Sequence, residues 1–269
     1  MSPPPVIGIC TDSTSQLPAA LAERFAVEVV PVTVSVDGVD ELDSDELCSD
    51  AFARRFSGEH RPVIEVVAPS PGQFAAAYEA LLERGCTGIL SIHGTGSGQP
   101  TLTAARLAAR CVPVPVKAVD SGLDDFGISC AVWAAAQSIA DSPTLDDAAA
   151  HVEHVAPTVG NVVVTGVTNA GVHLGHTLPV VTLRSGNVEL LERLETAAEA
   201  VNAMAAFAVG FGQRLRIGVG HADHGSRPVA DALEAALGEA ANVLEVVRFR
   251  MGASAKLGPG AVSCWLLPA

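Results

Sequence analysis

Residues 6–14 read Val6-Ile7-Gly8-Ile9-Cys10-Thr11-Asp12-Ser13-Thr14, an apolar run that breaks abruptly into a polar cluster. A parallel strand is covered on both faces and need not alternate, so the run has the texture of a buried strand in an α/β sheet. The polar residues then fall at the carboxyl end of that strand, where open α/β sheets collect ligands. Thr11 and Ser13 are therefore candidate ligand-binding residues, although a plain helix-capping loop accounts for the same cluster. Leu17-Pro18 opens a helical pattern with Pro placed early, where its missing N–H costs nothing.

Outward from this stretch, short apolar runs alternate with helical patterns. Residues 27–36 alternate like a strand, with Pro31 arguing for an edge or a bend. Residues 74–84 form a helical pattern that stops at Gly85, with Pro71 and Gly72 at its start. A strand at 88–92, a helix at 101–110 and a strand at 114–119 follow, the last running into Asp120-Ser121. Helices are expected at 126–140 and 144–155. After Pro157 the strands at 162–167, 180–183 and 188–191 are short and close together, with a hairpin turn at 184–187. Helices at 195–208 and 226–240 then alternate with strands at 214–220, 243–250 and 261–267. The expected fold is α/β in two domains. Residues 1–158 form a Rossmann-like parallel sheet with helices on both faces, and residues 159–269 an α/β domain with a mixed or antiparallel sheet.

The 269 residues suffice for two modest cores. Hydrophobic residues make up 49%, yet no window gives about 18 uninterrupted apolar residues, so no stable membrane insertion is expected. Met1-Ser2-Pro3-Pro4-Pro5 lacks the charged start of a signal peptide, and the expected location is cytoplasmic. Six cysteines stand singly, which reads as reduced, mostly buried small hydrophobes. With 30 Asp+Glu against 16 Lys+Arg the net charge is −14, which repels phosphate backbones and excludes nucleic acid as a partner.

The strongest local chemical signal is Ser91-Ile92-His93-Gly94-Thr95-Gly96-Ser97-Gly98, a strand feeding a Gly/Ser/Thr loop ahead of a helix. Glycines let backbone N–H groups approach an anion, and the helix N-terminus adds partial positive charge. A carboxylate and a phosphate fit equally well. No Lys-Ser/Thr follows the last glycine, so this is not a Walker loop. Three histidine pairs share one spacing (His151/His154, His173/His176, His221/His224), but none has a further ligand at a recognisable offset, and no metal is expected. No nucleophile elbow is present and no catalytic residue is assigned.

The order of these segments carries more than any one of them. Thr11-Asp12-Ser13-Thr14, Asp37-Gly38, Asp43, residues 46–52, Pro69-Ser70-Pro71-Gly72-Gln73-Phe74, Ser91-Ile92 with Ser97-Gly98, Val119-Asp120-Ser121 and Gly258-Pro259-Gly260-Ala261 follow one another along the chain. The series resembles the DegV family of bacterial fatty-acid-binding proteins. That resemblance implies a two-domain α/β monomer that holds a long-chain fatty acid between its domains and needs no other cofactor. It also implies a carrier, not an enzyme, which presents the carboxylate to a separate fatty acid kinase that makes an acyl phosphate.

Carried over residue by residue, the resemblance makes Ser97 and Gly98 head-group contacts, with Thr95 in the same loop. The family's leucine before this serine is Gly96 here, and its threonine after the glycine is Gln99. A second head-group threonine falls on Val66, which has no hydroxyl, and a histidine before GPG falls on Lys256. Asp43 and Arg193 match an aspartate and an arginine held near the site. Two alternatives stay open: a small-molecule phosphoryl-transfer or hydrolytic enzyme using the Gly94–Gly98 loop, and an orphan family member with an altered ligand.

Overall fold

The structure, a computed structural model, describes residues 6–43, 55, 62–94, 99–141, 144–167, 177–184, 187–212, 214–252, 254–255 and 257–269. The chain divides into two compact units, Met1–Leu42 with Ile64–Pro157 and Asp43–Val63 with Thr158–Ala269.

The first unit contains β1 (Ile7–Asp12), a 3-10 turn (Ser13–Ser15), α1 (Ala19–Arg24), β2 (Glu28–Val30), β3 (Thr33–Val36), β4 (Val39–Leu42) and β5 (Ile64–Val67). These are followed by α2 (Pro71–Glu83), β6 (Gly88–His93), α3 (Pro100–Ala108), β7 (Val116–Asp120), α4 (Phe126–Ala140) and α5 (Leu145–Val155). Strands β2-β1-β6-β7 form an all-parallel sheet in that order. Successive side chains leave it on opposite faces. Ile9, Leu90, Ile92 and Val119 pack with Ile128, Val132, Ala149 and Val152 of α4 and α5. Cys10 and Ile89 pack with Phe74, Tyr78 and Leu81 of α2 and Ala105 of α3. Helices thus cover both faces, as the uninterrupted apolar run of β1 implies.

Residues 27–36 were expected as one strand with an edge or bend at Pro31. They form two strands in two sheets. β2 is the edge of the parallel sheet, and beyond Pro31 the chain enters a three-stranded antiparallel sheet of order β4-β3-β5. Proline has no N–H to continue a ladder, which ends β2 at Val30. The hairpin from β3 to β4 turns on Asp37 and Gly38, with φ of 52° and 82°. Positive φ at both central residues is the tight two-residue turn that Asp-Gly favours.

The second unit contains β8 (Gly160–Val164), β9 (Leu178–Arg184), β10 (Asn187–Leu194), α6 (Ala197–Phe211), β11 (Leu215–His221), α7 (Arg227–Gly238), β12 (Val243–Arg250) and β13 (Val262–Pro268). Its sheet runs β10-β9-β8-β13-β11-β12 and is mixed, with only β11 and β12 parallel. That one parallel pair is the strand–helix–strand segment through α7, which needs a crossover. Ala200, Met204 and Ala208 of α6 and Val229, Leu233 and Leu237 of α7 share a core with Val162, Ile217, Val219 and Leu266 of the sheet. Among the described residues, no helix is long and apolar enough to cross a membrane.

Candidate functional site

In the parallel sheet Cys10 of β1 lies opposite Ser91 of β6. The two-residue period then sends Cys10, Asp12, Ser91 and His93 to one face, the face covered by α2 and α3. Buried polar groups must find partners there. Asp12 Oδ2 lies 2.6 Å from His93 Nδ1, and Ser91 Oγ lies 2.7 Å from His93 Nε2. Tyr78 of α2 donates its hydroxyl to Ser91 Oγ at 2.9 Å, with Ala105 O a second acceptor at 3.3 Å. A carboxylate only accepts, so Nδ1 carries the proton; with the ring neutral, Nε2 accepts from Ser91, whose oxygen accepts from Tyr78. The donor chain runs Tyr78, Ser91, His93, Asp12. Burial raises the Tyr78 phenol above its ordinary value and pushes the Cys10 thiol up to about 12, so both remain protonated donors.

The other oxygen of Asp12 accepts from the Thr14 N–H at 3.1 Å and from the Thr14 hydroxyl, capping the 3-10 turn. The capping reading of the polar cluster therefore holds for Oδ1, while Oδ2 serves the histidine. Serine, histidine and aspartate stand in the order of a hydrolase relay. Yet Ser91 is 0% exposed and its Oγ lies between His93 and Tyr78. A substrate carbonyl has no approach, and the chain is architectural.

His93 is also held through its backbone and its ring. Its carbonyl accepts from both the N–H and the hydroxyl of Ser121, each at 2.8 Å. Its ring meets Phe74 edge-on, with centroids 5.1 Å apart. Phe74 and Tyr78 are aimed by the start of α2, a capping box in which Ser70 N–H donates to Gln73 Oε1 at 2.9 Å and Gln73 N–H to Ser70 Oγ at 3.3 Å. A Cβ on the next residue, Gly94, would fall 2.6 Å from Leu123 O and from Ile128 Cδ1, so only glycine passes here. Gln99, with φ 49°, donates from Nε2 to Asp120 Oδ2 at 2.6 Å. The other Asp120 oxygen takes the Gly122 N–H at 2.8 Å. Gly94 and Gln99 are thus each held at the carboxyl ends of β6 and β7, Gln99 directly ahead of α3.

Thr95, Ser97, Gly98 and Lys256 lie outside the described residues. Thr11 is buried and donates its hydroxyl to Ile92 O at 2.8 Å, joining β1 to β6. Ser13 Oγ accepts the Val32 N–H at 3.0 Å and ties the 3-10 turn to the entry of β3. Val66 sits on β5 opposite Val34 and is 45% exposed. In the second unit Asp43 is buried and accepts from the Ser254 hydroxyl, while Arg193 is exposed on the edge strand β10. The GPG segment has a structural explanation of its own. Gly260, at φ 72°, donates its N–H to Asp223 Oδ2 at 2.7 Å and accepts the Val167 N–H at 2.9 Å. Among the described residues no three His, Cys, Asp or Glu side chains group as metal ligands.

Asp12, Ser91 and His93 lie within stretches the sequence singled out, but neither they nor Tyr78 were assigned a role in the site. Their one signal was polar residues two apart, Ser91 and His93, inside a strand buried on both faces. Such residues need buried partners.

The family model described as an uncharacterised protein, DegV family, matches residues 6–169. A DegV domain-containing protein of Streptomyces coelicolor is 32% identical over 208 residues, covering 72% of this chain and 73% of its own length. The chain belongs to the DegV family. A DegV family protein from Thermus thermophilus, solved for its fatty acid binding, is 25% identical with a TM-score of 0.81, covering 98% of this chain and 100% of its own. DegV of Bacillus subtilis, at 21% identity and a TM-score of 0.77, covers 98% of this chain and shares the fold. The two-domain α/β architecture with one parallel and one mixed sheet is thus that of the DegV proteins.

Proposed function

We propose that this DegV protein binds a long-chain fatty acid and presents its carboxylate to a separate kinase that makes the acyl phosphate. The observation that carries this reading is the closely packed Gly94 and the Gln99–Asp120 bond ahead of the N-terminus of α3, with the sequence Thr95-Gly96-Ser97-Gly98 between them. A glycine-rich sequence ahead of a helix N-terminus suits a carboxylate, and the Thermus relative at 25% identity, solved for its fatty acid binding, supports the ligand class. Ser97 and the N–H groups around Gly98 take the carboxylate, with Thr95 beside them. The acyl tail supplies most of the affinity at about 0.8 kcal/mol per buried CH₂. Val66 offers apolar surface where a threonine would donate. Lys256 supplies the counter-charge in compensation, through a charge-assisted bond stronger than the neutral one it replaces. Arg193 and Asp43 are the further members of the head-group region, and the protein works as a cytoplasmic monomer.

Lipid extraction and native mass spectrometry of the purified chain test this directly. Co-purified fatty acid, displaced by added palmitate, is the expected result. Protein that carries no acid and shows no heat of binding with palmitate or oleate would overturn the reading.

A further inference from the structure

We propose that His93 is the positioning residue of the head-group loop: held between Asp12 and Ser91, it fixes how the chain enters Gly94 without touching the ligand itself. The inference rests on the reading of residues 94–98 as the carboxylate holder. The imidazole is fully buried, so any effect it has on a ligand at the loop passes through the backbone. Nδ1 is 2.6 Å from Asp12, Nε2 is 2.7 Å from Ser91, the carbonyl takes two bonds from Ser121, and the ring edge meets Phe74. The restraints come from β1, from the segment after β7 and from α2, and they converge on the residue that opens the loop.

Stability alone does not call for such a chain. Replacing buried ionic or polar groups by apolar ones of similar volume is often neutral or stabilising. A polar chain ending on a single carboxylate has a direction, however. With the Asp12 carboxylate accepting at one end, Tyr78, Ser91 and His93 are biased towards one direction of donation. That arrangement sets the ring orientation, and the ring sets the end of β6. Glycine at 94 makes this necessary, because a residue without a Cβ contributes no side-chain packing to hold the path.

Three variants separate the two nitrogens. His93→Gln places an acceptor near Nε2 for Ser91, His93→Asn places a donor near Nδ1 for Asp12, and His93→Leu removes both. Palmitate titration by calorimetry is expected to show about tenfold weaker binding for His93→Leu, with partial recovery in Asn or Gln. Amide hydrogen exchange without ligand is expected to quicken at residues 94–99, while β2, α5 and the strands of the second unit keep wild-type rates. A general structural role would quicken exchange across the whole β2-β1-β6-β7 sheet, and that result overturns the proposal. Wild-type affinity in all three variants overturns it as well. Should the wild type itself fail to bind palmitate, the fatty-acid reading falls, and the exchange data alone decide the role of His93.

Discussion

Replacing Asp12 tests the donor chain at its terminus. The carboxylate accepts three bonds, from the His93 ring and from the N–H and hydroxyl of Thr14. Asp12→Ala removes every acceptor. The Thr14 hydroxyl can rotate away, but a buried ring N–H and a backbone N–H are left without partners. Leaving a buried donor without an acceptor costs about 1–3 kcal/mol, and here two donors lose theirs. Asp12→Asn is a gentler change, because the amide oxygen can keep the Thr14 N–H while the amide nitrogen faces His93. A donor facing Nδ1 requires the ring proton to move to Nε2, which then donates to Ser91. Ser91 in turn donates to Tyr78, and Tyr78 turns to Ala105 O, 3.3 Å away. Every bond survives with its direction reversed, and only the charge assistance is lost. Bonds to charged groups contribute about 1.5–3 kcal/mol and neutral ones about 0.5–1.5 kcal/mol. The expected cost of Asn is therefore about 1–2 kcal/mol, roughly half or less of the Ala cost. Urea unfolding followed by circular dichroism measures both, and long-range nitrogen–proton spectra of the His93 ring report the tautomer. Equal costs for the two variants, or an Nδ1–H tautomer persisting in Asn, would refute the reasoning.

Other expected outcomes concern the loop, the GPG turn and pH. Ser97→Ala is expected to weaken palmitate binding about fivefold with an unchanged urea midpoint, measured on the same samples. Gly260→Ala puts a Cβ 2.4 Å from Val167 O at a φ of 72°, so it should cost at least about 2 kcal/mol in urea unfolding; a loss below 1 kcal/mol would contradict the described turn. Burial, and then the nearby Arg248, hold the His221 pKa below its ordinary 6.5. The unfolded chain therefore binds the proton first as pH falls through about 6.5, and stability declines from there towards the folded value. His221→Gln should flatten that part of the melting temperature profile between pH 7.5 and 5.5, and an unchanged slope would count against it.

What the sequence made legible follows from how far each signal reaches along the chain. The run at 6–10 declared a parallel strand because burial on both faces is a property of consecutive residues. Pro31 announced an edge and a bend, but not the departure of β3 into a separate sheet. The partner strands explain why: Val39-Asp40-Glu41-Leu42 and Ile64-Glu65-Val66-Val67 are short and largely exposed, and so carry no hydrophobic period to read. The glycine loop was visible from local composition. Its frame was not, because Asp12 and His93 are 81 residues apart and meet only through strand register. These two halves belong together physically. A loop with glycine at 94, 96 and 98 loses more conformational freedom on ordering than one with leucine at its centre. Donors ordered at that cost hold a carboxylate well only if something else fixes the ends of the loop. In the proposed site that fixing falls to His93 on one side and Gln99 on the other. The glycines and the buried donor chain are therefore expected to be coupled: adding bulk at Gly96 should make ligand binding less sensitive to the loss of His93, since a stiffer loop depends less on its anchors.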